Sequence, residues 1–97
     1  MRTYYPYVST RKNKKFMILT DDHKWIHFGD VNYEHFTNGH LNDKRRDLYE
    51  IRHIDNEDWT DPDTAGFWSY WFLWRYRTYD MAMKHINQIL KERNKNI

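Results

Sequence analysis

Six histidines are the most chemically versatile residues in this 97-residue chain, yet their spacing argues against a metal site. His23 and His27 stand four apart in a segment that reads as turn and strand, so they share no helix face, and His35 and His40 fall in a loop. A helix-borne zinc pair needs a pattern such as His-Glu-x-x-His, which does not occur. His53, Asp55, Glu57 and Asp58 gather around a helix-to-loop junction, the nearest approach to a metal-dependent phosphodiesterase. Acids clustered in a loop are usually solvated turn residues, however, and no second carboxylate cluster of defined spacing accompanies them. Nucleophilic catalysis has little to work with: there is no cysteine, and Ser9 and Ser69 lie outside any Gly-x-Ser-x-Gly elbow. Gly29, Gly39 and Gly66 are isolated and form no phosphate loop. The expectation is a non-enzymatic protein without metal or cofactor.

Two other groups of residues point to binding. Arg11, Lys12, Lys14 and Lys15 follow Tyr4, Tyr5 and Tyr7 closely, a combination suited to phosphate contact with base stacking. Lys91 and Arg93, near the other end, extend this candidate nucleic-acid surface, whose ordinary alternative is a solvated strand flank. The second group is the aromatic run Phe67, Trp68, Trp71, Phe72 and Trp74. Trp68, Trp71 and Phe72 recur at helical spacing and form a core stripe, which leaves Phe67 and Trp74 on another side. Phe67, Trp68, Trp71 and Trp74, with the tyrosines Tyr4, Tyr5 and Tyr7, are therefore the candidate partner-binding residues, rimmed by Arg75 and Arg77 in the manner of an interface hot spot.

The elements that must position these groups follow from pattern and punctuation. Residues 1–14 show neither helical nor strand period, and Pro6 forces Tyr5 to be extended, so they read as an extended arm preceding a single domain over 15–97, with tyrosines able to staple it to that domain or to a neighbour. Lys15 to Thr20 and Trp25 to Phe28 are β-branched and aromatic runs separated by Asp21, Asp22, His23 and Lys24, a hairpin signal. Val31 to Gly39 is loop or a short helical turn. Asn42 or Asp43 caps a helix to about Ile54 with Leu48 and Ile51 inward. Asp55 to Asp63 is a loop, and Asp63 or Thr64 caps a second helix from Ala65 to about Tyr76. Thr78 caps a third to about Arg93, with Ala82, Ile86, Ile89 and Leu90 as its apolar stripe and Lys91, Arg93 and Lys95 suited to the helix dipole. The predicted fold class is α+β: an N-terminal β-hairpin packed against about three helices, with an extended arm.

Composition narrows the partners. A chain of this length buries only roughly 60 to 65% of its unfolded surface, whereas 5 Trp, 8 Tyr and 5 Phe must find cover in a protein of mean hydropathy -1.12. An aromatic surplus for other proteins is the expected result. The net charge of +2 conceals basic ends and an acidic middle: six Lys or Arg against two acids in 1–24, four against ten in 25–64, and six against two in 65–97. Such a layout suits orientation against complementary charges. Apolar runs such as Phe16 to Leu19 are far short of a membrane span, and the N-terminus lacks a signal-peptide core, so a soluble intracellular protein is expected.

The strings Lys14 to Thr20 (KKFMILT), Trp25 to Gly29 (WIHFG), Tyr33 to Thr37 (YEHFT), Asp43 to Tyr49 (DKRRDLY), Asn56 to Ser69 (NEDWTDPDTAGFWS) and Trp71 to Trp74 (WFLW) resemble a family of small proteins encoded by nucleocytoplasmic large DNA viruses, the giant viruses. The block Thr64 to Trp74 carries the resemblance most specifically. Such relatives tend to continue after that block with Asn-Lys-Pro-Thr, where this chain has Arg75-Tyr76-Arg77-Thr78. The resemblance implies a viral setting, with the virion and the host cytoplasm as locations, and no reaction. Joined to the aromatic surplus, it leads to an expected minor capsid or cement-like component bound to capsid subunits in a larger assembly, with nucleic-acid binding in packaging or replication as the alternative.

Overall fold

The computed structural model describes residues 1–93 and is an α+β structure. Three antiparallel strands, β1 (Tyr7–Val8), β2 (Lys14–Leu19) and β3 (Trp25–Asp30), lie in sequence order in one sheet. The β2–β3 register pairs Phe16 with Phe28 and Ile18 with Ile26, so these four side chains share one face. Thr20 closes the hairpin: its backbone N–H donates to the Lys24 carbonyl (2.9 Å) and its hydroxyl accepts from the Lys24 N–H (3.1 Å).

Helix α1 (Asp43–His53) starts where the Asn42 side chain accepts from the Arg45 N–H. Helix α2 (Ala65–Trp68), capped by the Thr64 hydroxyl, runs without a break into a π-helical segment, Ser69–Trp74, which closes with Arg75 N–H donating to the Tyr70 carbonyl (2.9 Å). Helix α3 (Tyr79–Glu92) is capped by Thr78, and it buries Ala82, Ile86 and Leu90 as its sequence period predicts. Lys95 lies outside the described residues.

The core is aromatic and sits between the sheet and the helices. Phe28 packs against Trp68 (ring centroids 5.9 Å apart), Phe16 meets Phe72 edge-on (5.3 Å), and Phe72 stacks on Tyr79 of α3 (4.6 Å). Two indoles find their acceptors in the acidic loop: Trp68 Nε1 donates to the Pro62 carbonyl (2.8 Å) and the half-buried Trp71 Nε1 to that of Trp59 (2.7 Å). That loop is thereby fastened over the helix.

Three expectations are corrected here. Residues 1–14 are an integral part of the domain and not an arm preceding it: Tyr4 is 1% exposed in the core, its N–H donates to the Leu19 carbonyl (2.9 Å) and its hydroxyl to Asp63, while Tyr7 and Val8 form the third strand. In α1, Leu48 and Ile51 face outward and Tyr49 is the buried residue, because the π segment presents Trp74 as a flat surface on which the Tyr49 ring stacks at 4.4 Å. Finally, Phe67 is fully buried rather than free on an opposite side. Wide π turns shift the faces of the second helix, and the loop and N-terminal segment cover what the sheet does not.

Candidate functional site

Lys14 and Lys15 open β2, and across the ladder Lys14 pairs with Asp30 at the end of β3. The chain then turns through Tyr33 to His35 and, after a tight five-residue turn (Phe36–His40), enters α1. Between this strand end and α1 lies a concave cavity of about 770 Å³. Its floor is apolar, made by Leu73 and Trp74 of the π segment, Tyr49 and Leu48 of α1, and Gly29. Gly29 is required there: its φ is +80°, and a Cβ would lie 2.9 Å from Leu73 Cδ1 and 3.2 Å from Lys15 Cβ.

The rim is charged. Lys14, Lys15, Arg45 and Arg52 line the cavity against two acids, Asp30 and Glu34. Glu34 pairs with Arg45 at 3.5 Å, and the Asp30 carboxylate accepts from the Asn32 N–H (2.9 Å). Among the described residues no ion pair engages Lys14 or Arg52. Lys15 reaches inward, donating to the Tyr33 carbonyl and to His35 Nδ1 (2.8 Å), so His35 Nε2–H is left to donate to the Tyr79 hydroxyl (2.9 Å). Burial, then the neighbouring Lys15 charge, holds His35 down to about 4 from its usual 6.5, which keeps it neutral. Burial also lowers Lys15, while Asp30 and Glu34 pull it back up. Tyr49 rises above the ordinary phenol range, chiefly through burial.

Other candidates do not converge. Among the described residues no three His, Asp or Glu side chains gather to hold a metal ion. His53 stacks on Tyr49 (4.0 Å), Glu57 folds over Gly66, and Asp58 is bound by Thr60, so the grouping seen in the sequence is dispersed. Ser9 Oγ lies 2.7 Å from His27 Nδ1, a pairing the sequence did not announce. Ser9 Oγ also accepts the Arg11 N–H (3.0 Å), and the charges that act on His27 are Arg11 and Lys14 rather than an orienting acid, so the pair locks a turn.

The residues assigned to partners and nucleic acid are likewise sorted by the fold. Tyr4, Phe67 and Trp68 are core, and Trp71 and Trp74 are half-buried. Tyr5 is exposed and meets the half-buried Tyr7 edge-on (5.0 Å), Tyr7 meets the exposed Trp25 in the same way (6.3 Å), and the Arg2 guanidinium covers Tyr5. Arg11 and Lys12 are exposed in the β1–β2 turn, Lys14 and Lys15 are at the cavity, and Lys91 and Arg93 are exposed at the end of α3. The positive charge of Arg93 acts on Asp58, in the acidic loop, so the two basic ends serve different neighbourhoods.

Among the described residues no helix is long and apolar enough to cross a membrane. Comparison with curated proteins and with solved structures finds no match. One family, described as a family of unknown function (DUF5754), matches residues 7–53, just under half of the chain, and so spans the sheet, the tight turn and all of α1: the cavity's rim, without the floor that Leu73 and Trp74 supply.

Proposed function

We propose that this protein is a non-enzymatic assembly component of a virus particle, a minor capsid or cement-like subunit held between larger neighbours. One observation carries the reading. Helix α1 buries only Tyr49 and leaves Leu48, Ile51 and Ile54 at its end 49, 70 and 59% exposed, three large aliphatic groups repeating every third residue in a strongly polar chain. Exposed apolar residues are ordinary singly, but a stripe of them on one helix suits a protein partner. The edge-on ladder of Tyr5, Tyr7 and Trp25 offers a second surface of the same character, and the resemblance of 14–74 to giant-virus proteins supports the viral setting. Association would bury these side chains at roughly 25 cal/mol per Å², less the cost of ordering.

Replacing Ile51 and Ile54 with Asp together tests this. Both side chains are solvent-facing, so the melting midpoint of the isolated protein is expected to stay close to that of the parent. The double variant should be lost from purified particles, measured as its ratio to the major capsid protein. Recovery at the parental ratio would overturn the proposal.

Nucleic-acid binding is the second reading, favoured by the exposed Arg11 and Lys12 and by Lys14 and Lys15 at one concave surface.

A further inference from the structure

An assembly role leaves the cavity beside α1 without a use. Its volume, about 770 Å³, falls within the roughly 300 to 1,000 Å³ of small-molecule sites. Four cations face two acids across it, and both acids have local partners: Glu34 lies 3.5 Å from Arg45 and Asp30 accepts the Asn32 N–H. Lys14 and Arg52 carry the uncompensated positive charge. The lining also includes the apolar Leu48, Leu73 and Trp74, and Tyr33, 70% exposed, with no ring contact to another aromatic among the described residues. The Tyr33 backbone is fixed by the Lys15 ammonium.

A bare phosphate or carboxylate would satisfy the cations and leave the floor and Tyr33 unused. A purely apolar ligand would fill the floor beside unpaired charge. A molecule with an anionic end, a planar ring and hydroxyl or amino donors uses all three: Lys14 and Arg52 for the anion, Tyr33 and the Leu73–Trp74 floor for the ring, and the Glu34 or Asp30 carboxylate for the donors. We propose that this cavity is a binding site for a nucleoside monophosphate, with Lys14 and Arg52 as the phosphate contacts and Tyr33 closing over the base.

The test is calorimetric titration of the full chain at low salt with adenosine monophosphate, inorganic phosphate, adenosine and a single-stranded oligonucleotide, each separately. The nucleotide should bind at least about tenfold more tightly than phosphate or adenosine, because only it engages both ends of the cavity. Lys14→Ala and Arg52→Ala should each weaken it about tenfold or more while leaving the melting midpoint in place, since charge-assisted hydrogen bonds at a half-buried and an exposed side chain, neither of them in the core, are lost. Tyr33→Ala should weaken the nucleotide and leave phosphate unchanged. Absence of saturable nucleotide binding overturns the proposal, as does equal binding by the parent and both charge variants. An oligonucleotide that binds when the monophosphate neither binds nor competes would also overturn it, in favour of a strand-binding surface. Ile51 and Ile54 do not line the cavity, so this outcome and the particle-incorporation outcome are separable.

Discussion

His35 shows how one residue acquires a property its identity does not specify. In the sequence it is one of six histidines in a polar chain. In the structure it bridges Lys15 and Tyr79, and burial with the Lys15 charge lowers it to about 4. The folded state therefore binds fewer protons than the unfolded state between about 4 and 6.5. Stability from this group is present above pH 6.5 and is lost as the pH falls toward 4. His35→Gln should flatten the pH dependence of the melting midpoint across that window, with little change in shape above it. An unaltered profile would mean the acid sensitivity arises elsewhere. Gln is chosen because its amide can accept from Lys15 and donate to Tyr79, which leaves the titration as the principal difference.

At the scale of elements, helix ends are local and packing faces are not. Thr78 is exposed and its hydroxyl accepts from the Met81 N–H at 3.2 Å, so its contribution is confined to capping α3. Thr78→Ala should cost about 1 kcal/mol in urea denaturation and Thr78→Ser should recover most of it. Equal stability of the Ala variant and the parent would show that the cap is not needed once α3 is docked. The apolar period of α3 was legible because Ala82, Ile86 and Leu90 meet one surface. The second helix was not, because the widened turns at Ser69–Trp74 change the angle between successive residues, and Phe72 and Leu73 both go inward. Nothing in the apolar count distinguishes a π segment from an α-helix. The Arg75 N–H bonded to the Tyr70 carbonyl does.

Over the whole molecule, the aromatic surplus inferred from composition is largely absorbed. Tyr4 plugs the core from the N-terminal side, and its hydroxyl ties the first residues to Asp63 in the acidic loop. Removing residues 1–6 should therefore lower the stability of the entire domain by about 3 kcal/mol or more, comparable to deleting a buried aromatic side chain. Against a total of roughly 5 to 15 kcal/mol for a domain, that is a large fraction. Coincident unfolding curves for the truncated and full chains would show the first residues to be peripheral. The surface left apolar is then aliphatic on α1 and aromatic at Tyr5, Tyr7 and Trp25, not along the tryptophan-rich helix.

The hairpin over β2 and β3, the caps at Asn42, Thr64 and Thr78, and the buried stripe of α3 are determined by the sequence alone, since each depends on residues within a few positions of one another. Tertiary structure decided the burial of Tyr4 and Phe67, the outward turn of Leu48 and Ile51, and the meeting of Lys14 and Lys15 with Arg45 and Arg52. Those outcomes depend on which distant surface each side chain meets. A stretch of apolar or basic residues encodes the need for a neighbour, whereas the neighbour itself is chosen only when separate segments of the chain compete for the same limited interior.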